Sequence, residues 1–180
     1  MSPKGGSGRR EEPEGPRRGI GSGGARSAAS KLRAVRIALA HDLVRAGKIL
    51  ERRGMIMATE GNLSARIGGD RVLITRRGRR KGDLTPRDFV ELSVVEPRES
   101  AVRSAASRDH RVHLAAYALR RDVEAIGLAL DPTGVPPPGV LVLQNHGALA
   151  VGANMEEAIC RLEIAEHLAA SLLLAEAKRP

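Results

Sequence analysis

The chain reads as an α/β protein, one domain with a central sheet flanked by helices. Three observations predict it. Apolar residues recur every three or four positions over 32–50 and again over 155–177, as amphipathic helices require. Short β-branched and Leu-rich runs bounded by Gly, Asn and Asp lie between them, as strands do. The two kinds of segment intermingle along the whole ordered chain, the pattern of a layered sheet-and-helix architecture.

Residues 1–29 are rich in Gly, Pro, Ser and Arg and lack an apolar period, which predicts a disordered tail ahead of a domain over 30–180. Ser30 is positioned to cap a helix whose apolar face is Leu32, Val35, Leu39, Leu43, Ala46 and Leu50, with Gly54 as its stop. His41 lies off that stripe and is expected in solvent. Strands are expected over 63–67 and 71–75, joined at Gly68-Gly69-Asp70, a hairpin signal. Thr85 followed by Pro86 predicts a short helical turn, and then a strand over 90–95. Ser107 is read as the cap of a helix with Val112, Ala115, Ala116 and Leu119 inward, leading to a buried strand over 123–130. "GVLVLQNHGALAVG", residues 139–152, places Asn-His-Gly between two apolar runs, which predicts two strands meeting at a turn. Asn154, with Glu157 three residues on, is a capping box for the final helix.

With 180 residues, 42% of them hydrophobic, the chain can build a core, but aromatics are only 1%, so that core is Leu, Val, Ile and Ala. The same scarcity removes the stacking platforms used on single-stranded nucleic acid. The net charge of +9 is concentrated. Residues 1–30 hold six basic side chains, and "RRGRRK" at 76–81 holds five more, read as a solvated loop. Charge alone admits nucleic acid, an anionic surface or phosphorylated metabolites; a nucleic-acid partner would rest on nothing else. One cysteine, Cys160, excludes an internal disulfide framework and fits a reducing cytoplasm, and helical position predicts a packed core thiol. No apolar run is long enough for a membrane span, so no membrane partner is expected.

His146 in the "NHG" turn is either a turn histidine bonded to nearby backbone or a metal-binding or proton-transferring group. Gly61 and Asn62 can be turn residues or can present backbone N–H groups to a phosphate. His113 and Tyr117 follow Asp109 by one and two helical turns, on one stripe. Asp109 with His113 makes at most half of a zinc shell. His110 and His167 are assigned to charged faces.

Four stretches in this order resemble the class II aldolase/adducin family: "ATEGNLSAR" (58–66) after the leading helix, "LITRRGRRKGDLTPRDFVEL" (73–92), "SRDHRVHLAAYALRRDVEAI" (107–126) and "VLVLQNHGALAVGANMEEAICRLEIAEHLA" (140–169). The resemblance implies a single α/β domain assembled as a homotetramer, with sites at subunit interfaces. It implies an aldehyde-lyase acting on a small phosphorylated sugar, with a divalent metal, commonly zinc, held by three histidines and often a carboxylate. His146 matches the metal-ligand histidine. Asp109 matches the acidic residue that serves as base and sometimes as ligand. The His-x-His pair matches Leu128 and Leu130, which cannot bind a metal. Gly61, Asn62, Ser107 and Arg108 match phosphate-binding positions, with arginine where a second serine is usual. Only 14 residues, "DPTGVPPPGVLVLQ", separate Leu130 from Asn145; the resemblance implies a sheet shortened there. The expected function is therefore that of the family with catalysis impaired, the alternatives being a non-catalytic binding or assembly module on the same fold, or the product of a decayed gene.

Overall fold

The computed structural model describes residues 22–95, 100–129, 139–143 and 147–178. Helix α1 runs over Ser22–Arg52. It starts well before Ser30: Ala-rich sequence without Pro keeps the helix going once it has begun, and the described side chains ahead of Val35 are exposed throughout. Strands β1 (Asn62–Gly68) and β2 (Arg71–Thr75) form the expected hairpin. A 3-10 turn at Lys81–Asp83 follows, then β3 (Phe89–Ser93). No helix forms at Thr85. Asp88 instead closes a turn by accepting bonds from the Thr85 amide at 2.9 Å and hydroxyl at 2.8 Å. Helices α2 (Ser100–Ala105) and α3 (His110–Leu119) lead to β4 (Ala125–Ala129), β5 (Val140–Leu143), β6 (Gly147–Gly152) and α4 (Met155–Ala177).

Ser107 does not cap α3. Asp109 occupies the cap position, while the Ser107 amide is drawn to the Thr75 carbonyl at 3.0 Å. The α4 cap is as expected: the Asn154 side chain accepts from the Glu157 amide at 2.9 Å, and Glu157 reaches back to the Ala153 amide at 2.6 Å.

The described strands form one sheet in the order β3-β2-β1-β4-β6-β5, with every pairing antiparallel. Helices α1 and α4 cover one face, where Leu43, Leu50, Leu63, Leu73 and Leu162 are buried. Each such leucine contributes about 1.5–3 kcal/mol by leaving water. Helices α2 and α3 cover the other face over Val72, Ile74, Ile126, Leu128 and Leu149. Gly47 lets α1 close onto the 3-10 turn, since a Cβ there would lie 2.3 Å from the Lys81 carbonyl oxygen. Cys160 is exposed, not core; it sits about 100° around α4 from buried Ile159, enough to leave the inward stripe. Among the described residues no helix is long and apolar enough to cross a membrane.

Candidate functional site

Strand β1 is amphipathic in an unusual sense. Its Leu63, Ala65 and Ile67 face α1, while Asn62, Ser64 and Arg66 face α3. Residues two apart on a strand are about 6.8 Å apart along its axis, and residues four apart on a helix about 6.0 Å. Asn62, Ser64 and Arg66 therefore meet Asp109, His113 and Tyr117 rung by rung.

The bonds along this ladder have one consistent direction. Asp109 is an acceptor, so the Asn62 amide nitrogen donates to its carboxylate and the Asn62 oxygen turns to His113 Nε2. Nε2 must then carry the proton. His113 Nδ1 is left to accept from the Ser64 hydroxyl at 2.7 Å, and Ser64 in turn accepts from the Tyr117 hydroxyl at 2.9 Å. Arg66 completes the ladder, its guanidinium 4.9 Å from the Tyr117 ring centre and donating to the Tyr117 carbonyl at 3.1 Å. Burial pushes the pKa of His113 down to about 4, the Asp109 charge opposing and His110 adding to it. Burial likewise raises that of Tyr117. His113 is thus fully buried and uncharged at neutral pH, with Asn62 placed between it and Asp109.

The end of the sheet where β1 begins gathers the sequence-predicted residues. Asn62 is in register with Leu128 of β4. Gly61, at φ +68°, has Ile56 and the Leu128 carbonyl each 2.6 Å from where a Cβ would be. Thr75 Oγ1 accepts from the Leu63 amide at 3.3 Å, and the Thr75 carbonyl holds Ser107. Gly61, Asn62, Ser107 and Asp109 are therefore brought together. Asn62 is not available to a ligand in this state, since both ends of its amide are engaged. Arg108 is exposed on the same turn, and Arg77, its amide bonded to the Ala105 carbonyl at 3.0 Å, is exposed beside it. His110, expected on a charged face, is buried, with Nδ1 donating to the Ser107 carbonyl at 2.8 Å.

The "RRGRRK" loop is only partly solvated. Arg79 pairs with Asp88 at 3.0 Å and Arg80 with Glu51 at 2.6 Å. Lys81 is 2% exposed, its ammonium donating to the carbonyls of Thr59 at 2.5 Å and Arg79 at 2.7 Å. Burial lowers its pKa to about 8, against the pull of Asp109 and then Glu60. Sequence reasoning missed Lys81 and Ser64; for Ser64 the available signal was the match between polar positions two apart on β1 and four apart on α3.

Of the implied metal positions, Leu128 is 3% exposed and packs with Leu149 on the α3 side. Leu130, His146 and the Pro-rich bridge at 131–138 lie outside the described residues. Among the described residues no group of three or more His, Cys, Asp or Glu is placed to hold a metal.

Residues 41–129 match the Class II Aldolase and Adducin N-terminal domain. Methylthioribulose-1-phosphate dehydratase of Methylococcus capsulatus is 47% identical over 51 residues, 28% of this chain and 25% of that protein. The Marinobacter nauticus dehydratase is 40% identical over 89 residues, 48% of this chain and 41% of that one. The chain thus spans less than half the length of these two relatives. The Acidiphilium cryptum dehydratase is 26% identical over 72% of this chain and 87% of its own. The fold matches L-fuculose-1-phosphate aldolase from Thermus thermophilus with a TM-score of 0.65 at 24% identity, over 79% of this chain and 97% of that one. The matched stretch runs from His41 in α1 through the end of β4 and includes the Asp109–Tyr117 stripe, and the chain belongs to the class II aldolase and adducin family.

Proposed function

We propose that this chain binds a small phosphorylated sugar at the β1–α3 end of its sheet and does not carry the metal-centred lyase step. The observation that carries this reading is Leu128. A three-histidine site needs a lone pair at that position, and here a buried hydrocarbon packs against Leu149 and lies in register with Asn62. Asp109 spends a carboxylate oxygen on Asn62. These residues do not fit a catalytic zinc, which needs three protein ligands and an open position, so no step is routed through one. What supports anion binding is the exposure of Arg77 and Arg108, carried on two segments that the Arg77–Ala105 and Ser107–Thr75 backbone bonds hold together at this end of the sheet. The dehydratase relatives point to methylthioribulose 1-phosphate as the sugar phosphate to try first. A single cysteine supports a reducing cytoplasm as the setting for this binding.

The test is thermal unfolding of the purified chain with methylthioribulose 1-phosphate, fuculose 1-phosphate and inorganic phosphate, alongside zinc analysis after dialysis and an assay for dehydration and aldol cleavage. Ligand at one hundred times its dissociation constant would add about 2.7 kcal/mol of stability. The expected result is stabilisation that Arg108→Ala weakens, with no stoichiometric zinc and no turnover. Tightly held zinc together with turnover of any of these sugars would overturn the reading.

A further inference from the structure

Between α1 and β1 the chain passes through a loop, residues 57–61, at the end of the sheet where Asn62 meets Asp109. The side chains of Met57, Ala58, Thr59 and Glu60 are all exposed, so apolar burial does not hold this loop. Its conformation is also costly. Ala58 has φ +50° and is the one non-glycine residue at positive φ among the described residues; in that conformation the Cβ crowds the following carbonyl. Gly61 follows at φ +68°, pressed so close to β4 that a Cβ would lie 2.6 Å from the Leu128 carbonyl oxygen. Within the loop the Glu60 amide donates to the Met57 carbonyl at 2.9 Å. A strained, uncovered turn of this kind persists only where its surroundings hold it.

Lys81 is what holds it. Its ammonium reaches back 22 positions in sequence to donate to the Thr59 carbonyl at 2.5 Å, in the middle of the loop, and donates also to the Arg79 carbonyl at 2.7 Å. Its neighbours in the basic run do otherwise: Arg77 is exposed, Arg79 pairs with Asp88, and Arg80 pairs with Glu51. Lys81 is only 2% exposed, and α1 closes on its backbone carbonyl from the other side at Gly47. A buried ammonium is strongly destabilising without acceptors, so these two bonds tie lysine and loop to each other. Asp109 and Glu60 supply the opposing charge.

We propose that Lys81 is a positioning residue: through the Thr59 carbonyl it latches the strained 57–61 loop and so fixes the Gly61 turn that leads into Asn62. With the latch closed, the turn keeps its shape at the end of the sheet assigned above to the sugar phosphate. The effect on the ligand rests on that assignment; the latch itself does not. Without the ammonium, Ala58 leaves its left-handed conformation and the turn at Gly61 is no longer held.

The experiment compares the full-length wild type with Lys81→Met, Lys81→Gln, Ala58→Gly and Lys81→Met combined with Ala58→Gly. Glutamine keeps a polar donor at the buried position but falls short of the Thr59 carbonyl, and it stands in where Lys81→Met does not fold by circular dichroism. Hydrogen exchange is followed by NMR without ligand at the Glu60 amide and, as a control, at the Glu124 amide, which is bonded to the Gly152 carbonyl at 2.9 Å. Either substitution of Lys81 should speed exchange at Glu60 by about tenfold or more, as the loss of one charge-assisted hydrogen bond implies, and leave Glu124 as in the wild type. Adding Ala58→Gly should recover about fivefold, because glycine takes the left-handed conformation freely. By the same argument Ala58→Gly alone should slow exchange at Glu60. Affinity for methylthioribulose 1-phosphate, measured by calorimetry, should fall with Lys81→Met and return in part with the double variant. Unchanged exchange at Glu60, an equal rise at Glu124, or no recovery with Ala58→Gly would each overturn the latch. A wild type that binds no sugar phosphate would overturn the binding reading instead, and the exchange rates then decide the latch alone.

Discussion

Acid should unfold this protein partly through one imidazole. His113 is fully buried, with Nε2 donating to Asn62 and Nδ1 accepting from Ser64. A second proton on Nδ1 would face the Ser64 hydroxyl; Ser64 would then have to donate to Tyr117, whose own proton would lose its acceptor. The pKa of His113 accordingly sits at about 4, against an ordinary 6.5. Between those values the unfolded chain binds a proton that the folded chain refuses, so stability rises with pH there and is lost as pH falls. At 1.36 kcal/mol per tenfold change in proton affinity, the loss is about 2 kcal/mol by pH 5 and approaches about 3 kcal/mol at pH 4 and below. Small domains are stable by only about 5–15 kcal/mol, so this is a sizeable share. His113→Gln retains an amide donor and acceptor but does not titrate. Urea unfolding of both proteins from pH 7.5 to 4.5 isolates the effect, since carboxylate titrations cancel in the difference. The wild type should fall below the variant progressively under pH 6.5. Parallel stability curves, or an imidazole nitrogen spectrum showing His113 charged at pH 6, would refute the reasoning.

Lys81 gives the opposite window. With its pKa lowered to about 8 from 10.5, the folded chain releases a proton before the unfolded one does; stability should rise by about 2 kcal/mol between pH 8 and 10, and Lys81→Met should flatten that rise in the same unfolding series. Gly61→Ala should cost more than about 2 kcal/mol in chemical denaturation, because the left-handed backbone and the 2.6 Å approaches of Ile56 and the Leu128 carbonyl act together. Asn154→Ala should cost about 1 kcal/mol by removing the α4 cap, and Asn154→Asp should restore most of it.

The local features of this chain were legible in its sequence because they rest on short-range physics. The β1–β2 hairpin follows from Gly68-Gly69-Asp70, the α4 cap from Asn154 and Glu157, and the two faces of the sheet from alternating apolar residues. The resemblance likewise named Gly61, Asn62, Ser107 and Asp109, which the fold brings to one end of the sheet. Tertiary structure decided the roles. Asn62, legible only as a turn or phosphate-binding residue, bridges Asp109 to His113. Lys81 belonged to a charge run, and charge runs are solvated until a particular packing denies them water; here α1 closes over the turn at Gly47. Ser107 is tied by its amide to the Thr75 carbonyl, 32 positions earlier in the chain, and α3 starts behind Asp109, two residues further on, whose carboxylate turns to Asn62. Hydrogen-bond partners distant in sequence carry no local periodicity, and only the folded chain brings them within reach.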